Sequence, residues 1–565
     1  MEDVSAAQSR IPARYFMIDR PAADGTLPKL SPALLYAALV AIWLAIYLPG
    51  LGRVELKGEE GRRAMPGIEM LESGDWLVPR VAGRAYYRKP PLINWAAGAS
   101  VKLTGRRDEW GIRLPSTLGV LALVLATLAW SRPALGTQGG FCAAIFVLAN
   151  ISTMEKGRRI EIEGLYIVFS GLALLWWLRG WSRDGPARGL WSRWLGAGLC
   201  LGLGLLIKGP LHLAFFYAVV IAVLACAGEL RELRRSAHWV GLVVAGLVFA
   251  AWAVPMLQRA AGAGVTQTWA EQFTERVSGR EGDFQFGRYL RNLVFQGWVN
   301  FLPWVVLLPL AWRRGATDGL PPRDRALWRG LRIALPVAYL AIMLVPGSAA
   351  RYALPLLVPA SVLLGLMLRA GWNCVPAATP KIWSGLNAIL LAISALAILA
   401  LPVLVPRGDW NLEHGMYLGA LVLAVGAGFW MRRWSGPGTP AWLALGSGAV
   451  MAALSIEFVL AVAARVDGHE RLRPLARQID ATVAPDTALY ALDPDSQPAF
   501  FYLSRPPRYV IRADDLPDDA RFLFVPEDLL PRLREGGRWD VAEEVVRYVD
   551  RGGRVLLVVR LSRNR

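Results

Sequence analysis

SPALLYAALVAIWLAIYLPGLG, residues 31–52, is an almost unbroken apolar run. At about 1.5 Å per helical residue, a run of about 20 residues crosses a hydrocarbon core of about 30 Å, so this one predicts a membrane-spanning helix. Residues 1–30 form a polar leader with several arginines and Lys29. No small-residue cleavage pattern follows the run, which favours an uncleaved anchor over a removed signal peptide. Similar runs begin near Ile112, Gly139, Ile160, Trp194, Leu211, Trp239, Trp298, Leu331, Tyr352, Ile382, Met416 and Ala441. With the first, they predict about 13 transmembrane helices. Of the 565 residues 55% are hydrophobic, and the chain reads as a polytopic α-helical membrane protein.

The formal net charge of +18 is largely explained by orientation. Threading the runs alternately from a cytoplasmic N-terminus places RDGPARGLWSR (183–193), ELRELRRS (229–236), WRRGATDGLPPRDRALWRG (312–330) and MRRW (431–434) inside, where short cationic loops belong. Nucleic acid is therefore not an expected partner. Cys142, Cys200, Cys226 and Cys374 lie in apolar runs or one short loop and form no CxxC pair. Neither structural disulfides nor a cysteine metal site is expected.

The same threading places the polar segments 53–90 and 259–297, and everything after Arg465, outside. In the tail, HERLRPLARQIDATV (469–483) has helical spacing, whereas TALYAL, RYVIR, RFLFVP and RVLLVVRL have strand character. The predicted organisation is a leader (1–30), a transmembrane domain (31–464) and a small external α/β domain (465–565). No internal repeat is visible, which weighs against a repeat-built transporter for anionic lipids.

Charges at membrane depth are costly and usually face a cavity or pathway. Here they gather at one face: Glu59 and Glu60 in the first external segment, Glu161 and Glu163 at the entrance of the fourth span, Lys208 at the end of the fifth, and Arg351 with Tyr352 opening the tenth. Carboxylates among cations suit a reaction of anionic substrates, with the cations holding phosphate and a carboxylate orienting or deprotonating an acceptor. The plain alternatives are that Glu59 and Glu60 are solvated partners of Arg62 and Arg63, and that Lys208 reaches to the headgroups.

The sequence GEEGRRAMPGIEMLESGDWLVPR (58–80), followed by AYYRKPPLINW (85–95), GRRIEIEGLYIVF (157–169), GLGLLIKGPL (202–211), LPW (302–304) and RYALP (351–355), resembles the bacterial aminoarabinose transferases. Those enzymes belong to the protein O-mannosyltransferase superfamily, with the GT-C fold. The resemblance implies a monomeric multi-pass glycosyltransferase of the bacterial inner membrane, with its active site facing the periplasm. Its donor would be a sugar on undecaprenyl phosphate and its acceptor lipid A or a related envelope molecule; no nucleotide sugar would be needed. It assigns catalysis to Glu59 and Glu163. The family's Asp-Glu-x-Arg element reads Glu59, Glu60, Gly61, Arg62 here, and an aspartate usually stands at the position of Glu163, so both acids are one methylene longer. Tyr86 and Lys89 would hold the carrier phosphate from an external loop, with Pro90 and Pro91 fixing entry to the next apolar element. Lys208 matches the family's Lys-Gly-Pro element, and Arg62, Arg276, Arg351 and Tyr352 complete the implied binding set. Arg88 replaces an acidic residue associated with a metal in many relatives, and a guanidinium is no ligand, so no metal cofactor is expected. Near Tyr352, Ser348, Ala349 and Ala350 occupy positions where the family often has a lysine. A protein, glycan or other lipid acceptor is the alternative within the superfamily.

Overall fold

Ser31 begins the first apolar helix: its hydroxyl accepts the Leu34 N–H at 3.2 Å and Pro32 occupies the first helical turn, a standard helix start. The computed structural model describes residues 31–183, 189–260, 262, 264–278, 286–313, 320–345, 348–369, 378–404, 410–434, 440–466, 471–535, 538–550 and 553–563. The elements are α1 (Pro32–Tyr47), α2 (Glu60–Ser73), a hairpin of β1 (Arg80–Val81) and β2 (Arg84–Ala85), α3 (Leu92–Thr104), α4 (Glu109–Leu148), α5 (Ile151–Gly157), α6 (Ile162–Arg183), α7 (Leu190–Lys208), α8 (Leu211–Ala227) and α9 (Ser236–Arg259). Then come α10 (Val265–Ser278), α11 (Phe286–Arg291), α12 (Gly297–Val299), α13 (Pro322–Met343), α14 (Leu357–Met367), α15 (Ala378–Leu404), α16 (Trp410–Trp434) and α17 (Pro440–Val466).

Among the described residues, eight helices are long and apolar enough to cross a membrane: α4, α6, α7, α9, α13, the run Ala350–Met367, α15 and α17. Shorter apolar helices lie at Pro32–Tyr47, Leu211–Ala227 and Gly415–Met431. Each expected run falls on helical structure, but not always as a separate span. The Ile112 and Gly139 runs are the two arms of α4, broken at Gly136, whose φ of 64° lies in the left-handed region. The Trp298 run is not one helix: after α12 it continues as a 3₁₀ segment, Trp304–Trp312, with Pro309 inside. Leu247, Leu399 and Phe429 point outward and are more than 60% exposed, as lipid-facing side chains should be.

The polar segment 53–90, expected as an external loop, contains α2 and the hairpin, and α3 follows. Helices α2 and α3 cross backbone to backbone. A Cβ at Gly98 would lie 2.6 Å from the Gly67 carbonyl oxygen, and one at Gly67 would lie 2.5 Å from the Asn94 carbonyl oxygen. Alanine normally stabilises a helix relative to glycine by about 1 kcal/mol, but here no flexible side chain can yield. Gly98→Ala is therefore expected to lower stability by about 1–3 kcal/mol, as overpacking does. A thermal midpoint in detergent equal to or above the wild-type value would rule out this tight crossing.

The tail folds as expected in class. Helix α18 (Leu472–Thr482) covers a mixed sheet of β3 (Leu489–Leu492), β4 (Arg508–Val510), β5 (Phe522–Pro526), β6 (Trp539–Val549) and β7 (Val555–Arg563), with α19 (Leu530–Glu535) between β5 and β6. The strand order is β4-β3-β5-β7-β6. β3 is parallel to β4 and β5, and β7 is antiparallel to β5 and β6. Four of these strands match the sequence expectation; β6, with Glu543 and Glu544 exposed at the edge, does not have an obvious strand pattern. The tail also shares a core with α2 and α3: Leu475, Ile479, Phe500 and Phe501 pack in one apolar cluster with Leu56, Ile68, Ile93 and Ala97.

Candidate active site

Helices α6 and α7 run antiparallel, so the first turn of α6 and the last residue of α7 meet at the same end of the bundle. Glu163 projects from that first turn, and its Oε1 lies 3.0 Å from Lys208 Nζ. Lys208 ends α7, where unpaired helix carbonyls favour a cation. Both side chains are largely buried, at 12% and 7% exposed. Arg351, on the 3₁₀ segment Ala350–Leu356, brings its Nε to 3.2 Å from the same oxygen and is 55% exposed. The Lys208 ammonium also lies 4.8 Å from the centre of the Tyr352 ring and 5.3 Å from that of Tyr166, within cation–π range. The carboxylate is thus the shared counter-ion of two cations against two aromatic walls.

Asn300 fixes the approach of Arg351. Its amide nitrogen donates to the Ala350 carbonyl at 2.6 Å, while its amide oxygen accepts from the Ser152 hydroxyl at 3.2 Å. Asn150 caps α5 and donates to the Leu302 carbonyl at 3.0 Å. These side chains tie the segments around residues 150, 300 and 350 together.

The second group of residues surrounds the start of α2. Gly58, at φ 57°, reverses the chain and presents Glu59 as the residue before the helix. Glu59 is half exposed and pairs with Arg63 at 2.8 Å, with Arg62 farther away at 3.9 Å. Arg63 is buried and also donates to the Tyr86 hydroxyl at 3.2 Å, so an acid, a buried cation and a phenol form one line. The Asn94 side chain holds the Arg63 carbonyl at 2.7 Å. The sequence reading has Arg63 only as a solvated partner of the two acids; the structure buries it between Glu59 and Tyr86, and its position four residues after Glu59 was the available signal.

The stretch 80–95 is fixed on several sides. The Glu69 carboxylate accepts the Ala82 and Gly83 N–H groups at the hairpin turn at 3.0 and 3.3 Å. Burial pushes this carboxyl up to about 7 despite those two bonds. The Trp269 indole on α10 donates to the Tyr87 carbonyl at 2.8 Å, and that of Trp95 donates to the Trp76 carbonyl at 2.7 Å. Pro91 immediately precedes α3 as its cap, which agrees with the proposed role of the Pro-Pro pair. Lys89 is half buried, two residues beyond Tyr87. Arg276 falls in α10, but its side chain lies outside the described residues.

Glu60 does not join this lining. It is fully buried and bound side-on by Arg113, with both N···O distances at 2.8 Å. Burial alone would raise its carboxyl, but Arg113 and the Lys57 and Ile160 N–H groups hold it below the ordinary value. Because the Ile160 N–H donates to Glu60 at 3.2 Å, this pair also ties the start of α2 to the start of α6. Glu161 likewise serves an ion cluster, with Lys156 at 2.8 Å and Arg159 at 3.4 Å. Glu59 and Glu163 thus sit in two groups, at the starts of α2 and α6, and the Ile160–Glu60 bond ties those two starts together.

Residues 88–254 match the family described as dolichyl-phosphate-mannose-protein mannosyltransferase. The undecaprenyl phosphate-alpha-4-amino-4-deoxy-L-arabinose arabinosyl transferase of Serratia proteamaculans is 26% identical over 380 residues, 65% of each chain. That match spans just under two thirds of the relative's length. The corresponding protein of Pseudomonas aeruginosa is 28% identical over 412 residues, 68% of this chain and 70% of its own. The structure of ArnT from Cupriavidus metallidurans bound to undecaprenyl phosphate superposes with a TM-score of 0.67 at 18% identity, covering 93% of this chain and 97% of that one. Its apo form gives a TM-score of 0.66 at 19% identity. The shared fold extends over nearly the whole chain. These matches make the chain similar in part of its sequence to the mannosyltransferase family and to the aminoarabinose transferases, and they show that it shares the fold of ArnT.

Proposed function

We propose that this protein is a glycosyltransferase of the bacterial inner membrane, with about 13 spans, that moves a sugar from undecaprenyl phosphate to lipid A or a related envelope lipid at the periplasmic face. The sheet domain would share that face, and the chain would act as a monomer. The observation that carries this reading is the Glu163 cluster: one carboxylate between Lys208 and Arg351, walled by Tyr166 and Tyr352, in a chain whose curated relatives carry sugar-transferase names.

The reaction is a displacement at the anomeric carbon. The bond from that carbon to the carrier phosphate oxygen breaks with its electron pair going to the phosphate, and the acceptor oxygen forms the new bond. Lys89, Lys208 and Arg62 stabilise the added charge on the departing phosphate, and Tyr86 orients it. Arg276, Arg351 and Tyr352 hold the substrates. Glu59 and Glu163 position the sugar or acceptor; with a hydroxyl acceptor, one of them takes its proton. No nucleotide sugar or metal takes part in this scheme. A hydroxyl acceptor is the second reading, favoured by the matched family's description, which names a protein acceptor.

Mass spectrometry of lipid A from cells with and without the gene tests the proposal, with Glu59→Gln alongside. A sugar-sized mass increment should be present with the wild-type gene and absent from both the deletion and the variant. An increment on protein or glycan instead would select the second reading. No gene-dependent increment on any envelope component would reject transfer.

A further inference from the structure

We propose that the carboxy-terminal domain contributes positioning residues to catalysis, Tyr502 and Arg473, which set the turn that presents Glu59. This inference rests on the catalytic role of Glu59 proposed above.

Residues 52–56, which lead into that turn, are held from one side by the tail domain, more than 400 residues away in sequence, and from the other by Arg113 of α4, which donates to the Val54 and Glu55 carbonyls at 2.9 and 3.3 Å. The Tyr502 hydroxyl accepts the Leu56 N–H at 2.8 Å and donates to the Glu109 carboxylate at 2.7 Å. Arg473 donates to the Gly52 carbonyl at 2.9 Å, the Arg53 carbonyl at 3.2 Å and Glu109 at 2.6 Å. In the opposite direction, the buried Glu55 carboxylate accepts the N–H groups of Arg471, Leu472 and Arg473 at 3.3, 3.0 and 2.7 Å, at the start of α18. A carboxylate at a helix start is well placed to satisfy those otherwise unpaired donors. The backbone of Gly61 rests on Pro498: a Cβ at Gly61 would come within 3.0 Å of the proline ring.

On the other side of the turn, the Lys57 N–H donates to Glu60 at 3.0 Å and Glu60 is gripped by Arg113. Glu59 therefore sits on a short arch with one foot on the membrane helix α4 and the other on the tail domain. The half-exposed Glu59 carboxylate is held by Arg63 at 2.8 Å, and the arch sets where the backbone that carries Glu59 lies. A displacement of about 1 Å at a catalytic group can reduce rate by about 100-fold.

Tyr502→Phe removes both hydroxyl bonds while leaving the ring against Phe501 and beneath the Arg473 guanidinium. The full-length protein would be assayed in detergent with undecaprenyl phosphate-linked aminoarabinose as donor and lipid A as acceptor. The expected result is kcat reduced about tenfold or more, donor KM within about twofold of wild type, and a thermal midpoint close to wild type. Arg473→Lys keeps a charge for Glu109 but cannot also reach both carbonyls, and should fall between Tyr502→Phe and wild type. If Tyr502→Phe does not fold, Arg473→Lys decides on the same kcat and KM criteria. Normal kcat in the deciding variant, with Glu59→Gln inactive, would overturn the inference. So would a raised KM at unchanged kcat. Full activity of Glu59→Gln would instead remove the functional reading on which the inference rests.

Discussion

Glu163→Gln is expected to reduce turnover by about 100-fold or more while donor KM stays constant or falls, and Lys208→Ala is expected to reduce turnover while donor KM rises. The opposite KM shifts follow from the geometry. With no substrate bound, one Glu163 oxygen neutralises both Lys208 at 3.0 Å and Arg351 at 3.2 Å. An incoming phosphate must compete with that carboxylate for the same donors. Removing its charge releases the cations to the phosphate, whereas removing Lys208 takes away a point charge with little flexibility because its ammonium is held between two aromatic rings. The turnover loss arises because a positioned carboxylate contributes about 100- to 10,000-fold where it moves a proton. Steady-state kinetics with varied donor measures both quantities. A Glu163→Gln enzyme with wild-type kcat would reduce this residue to an electrostatic spacer and leave Glu59 as the only candidate acid.

The cluster was legible in the sequence because Glu163 and Lys208 interrupt apolar runs, and a charge in that setting needs a partner. Which of the two adjacent acids faces the site was not legible from the residues alone; the family resemblance chose Glu59. Glu59 and Glu60 are separated by about 100° around a helix, so one turning inward sends the other outward, and only packing decides between them. The partner that decides it, Arg113, sits near the start of a long apolar helix, where an arginine also reads as an ordinary flanking charge. The two arms of α4 were legible as the separate runs beginning near Ile112 and Gly139, but their joint at Gly136 was not, because it is one of many glycines. The expected helix beginning at Trp298 gave way to short turns because Pro303 and Pro309 interrupt its backbone hydrogen bonds and Asn300 is engaged in bridging α5 to Ala350. The tail was predicted as a fold class from alternation and turn residues. Its grip on residues 52–56 was not, because those contacts pair single residues across more than 400 positions with no local pattern.

Glu60→Ala is expected to destabilise the protein by about 3–5 kcal/mol, among the largest losses from any single side chain, because it leaves the Arg113 guanidinium buried without its anion. Glu60 is 0% exposed and Arg113 5%, and they share two 2.8 Å contacts. In many proteins, replacing both partners of such a pair with apolar residues restores stability. Here it should not. Arg113 also donates to the carbonyls of Leu51 at 2.7 Å, Val54 at 2.9 Å and Glu55 at 3.3 Å, so Glu60→Leu with Arg113→Leu leaves these oxygens without that donor. The pH dependence has a definite sign. Glu60 is held below its ordinary value of 4.5, so its contribution is present above that value and is lost as pH falls through the lower folded value. Acid should therefore unfold the wild type through a step that Glu60→Gln lacks. Thermal midpoints in detergent from neutral pH down to about pH 3 would measure this. Recovery of stability in the double leucine variant would show that Arg113 is only a counter-ion; continued loss would show that it is the backbone clasp that shapes the loop leading to Glu59.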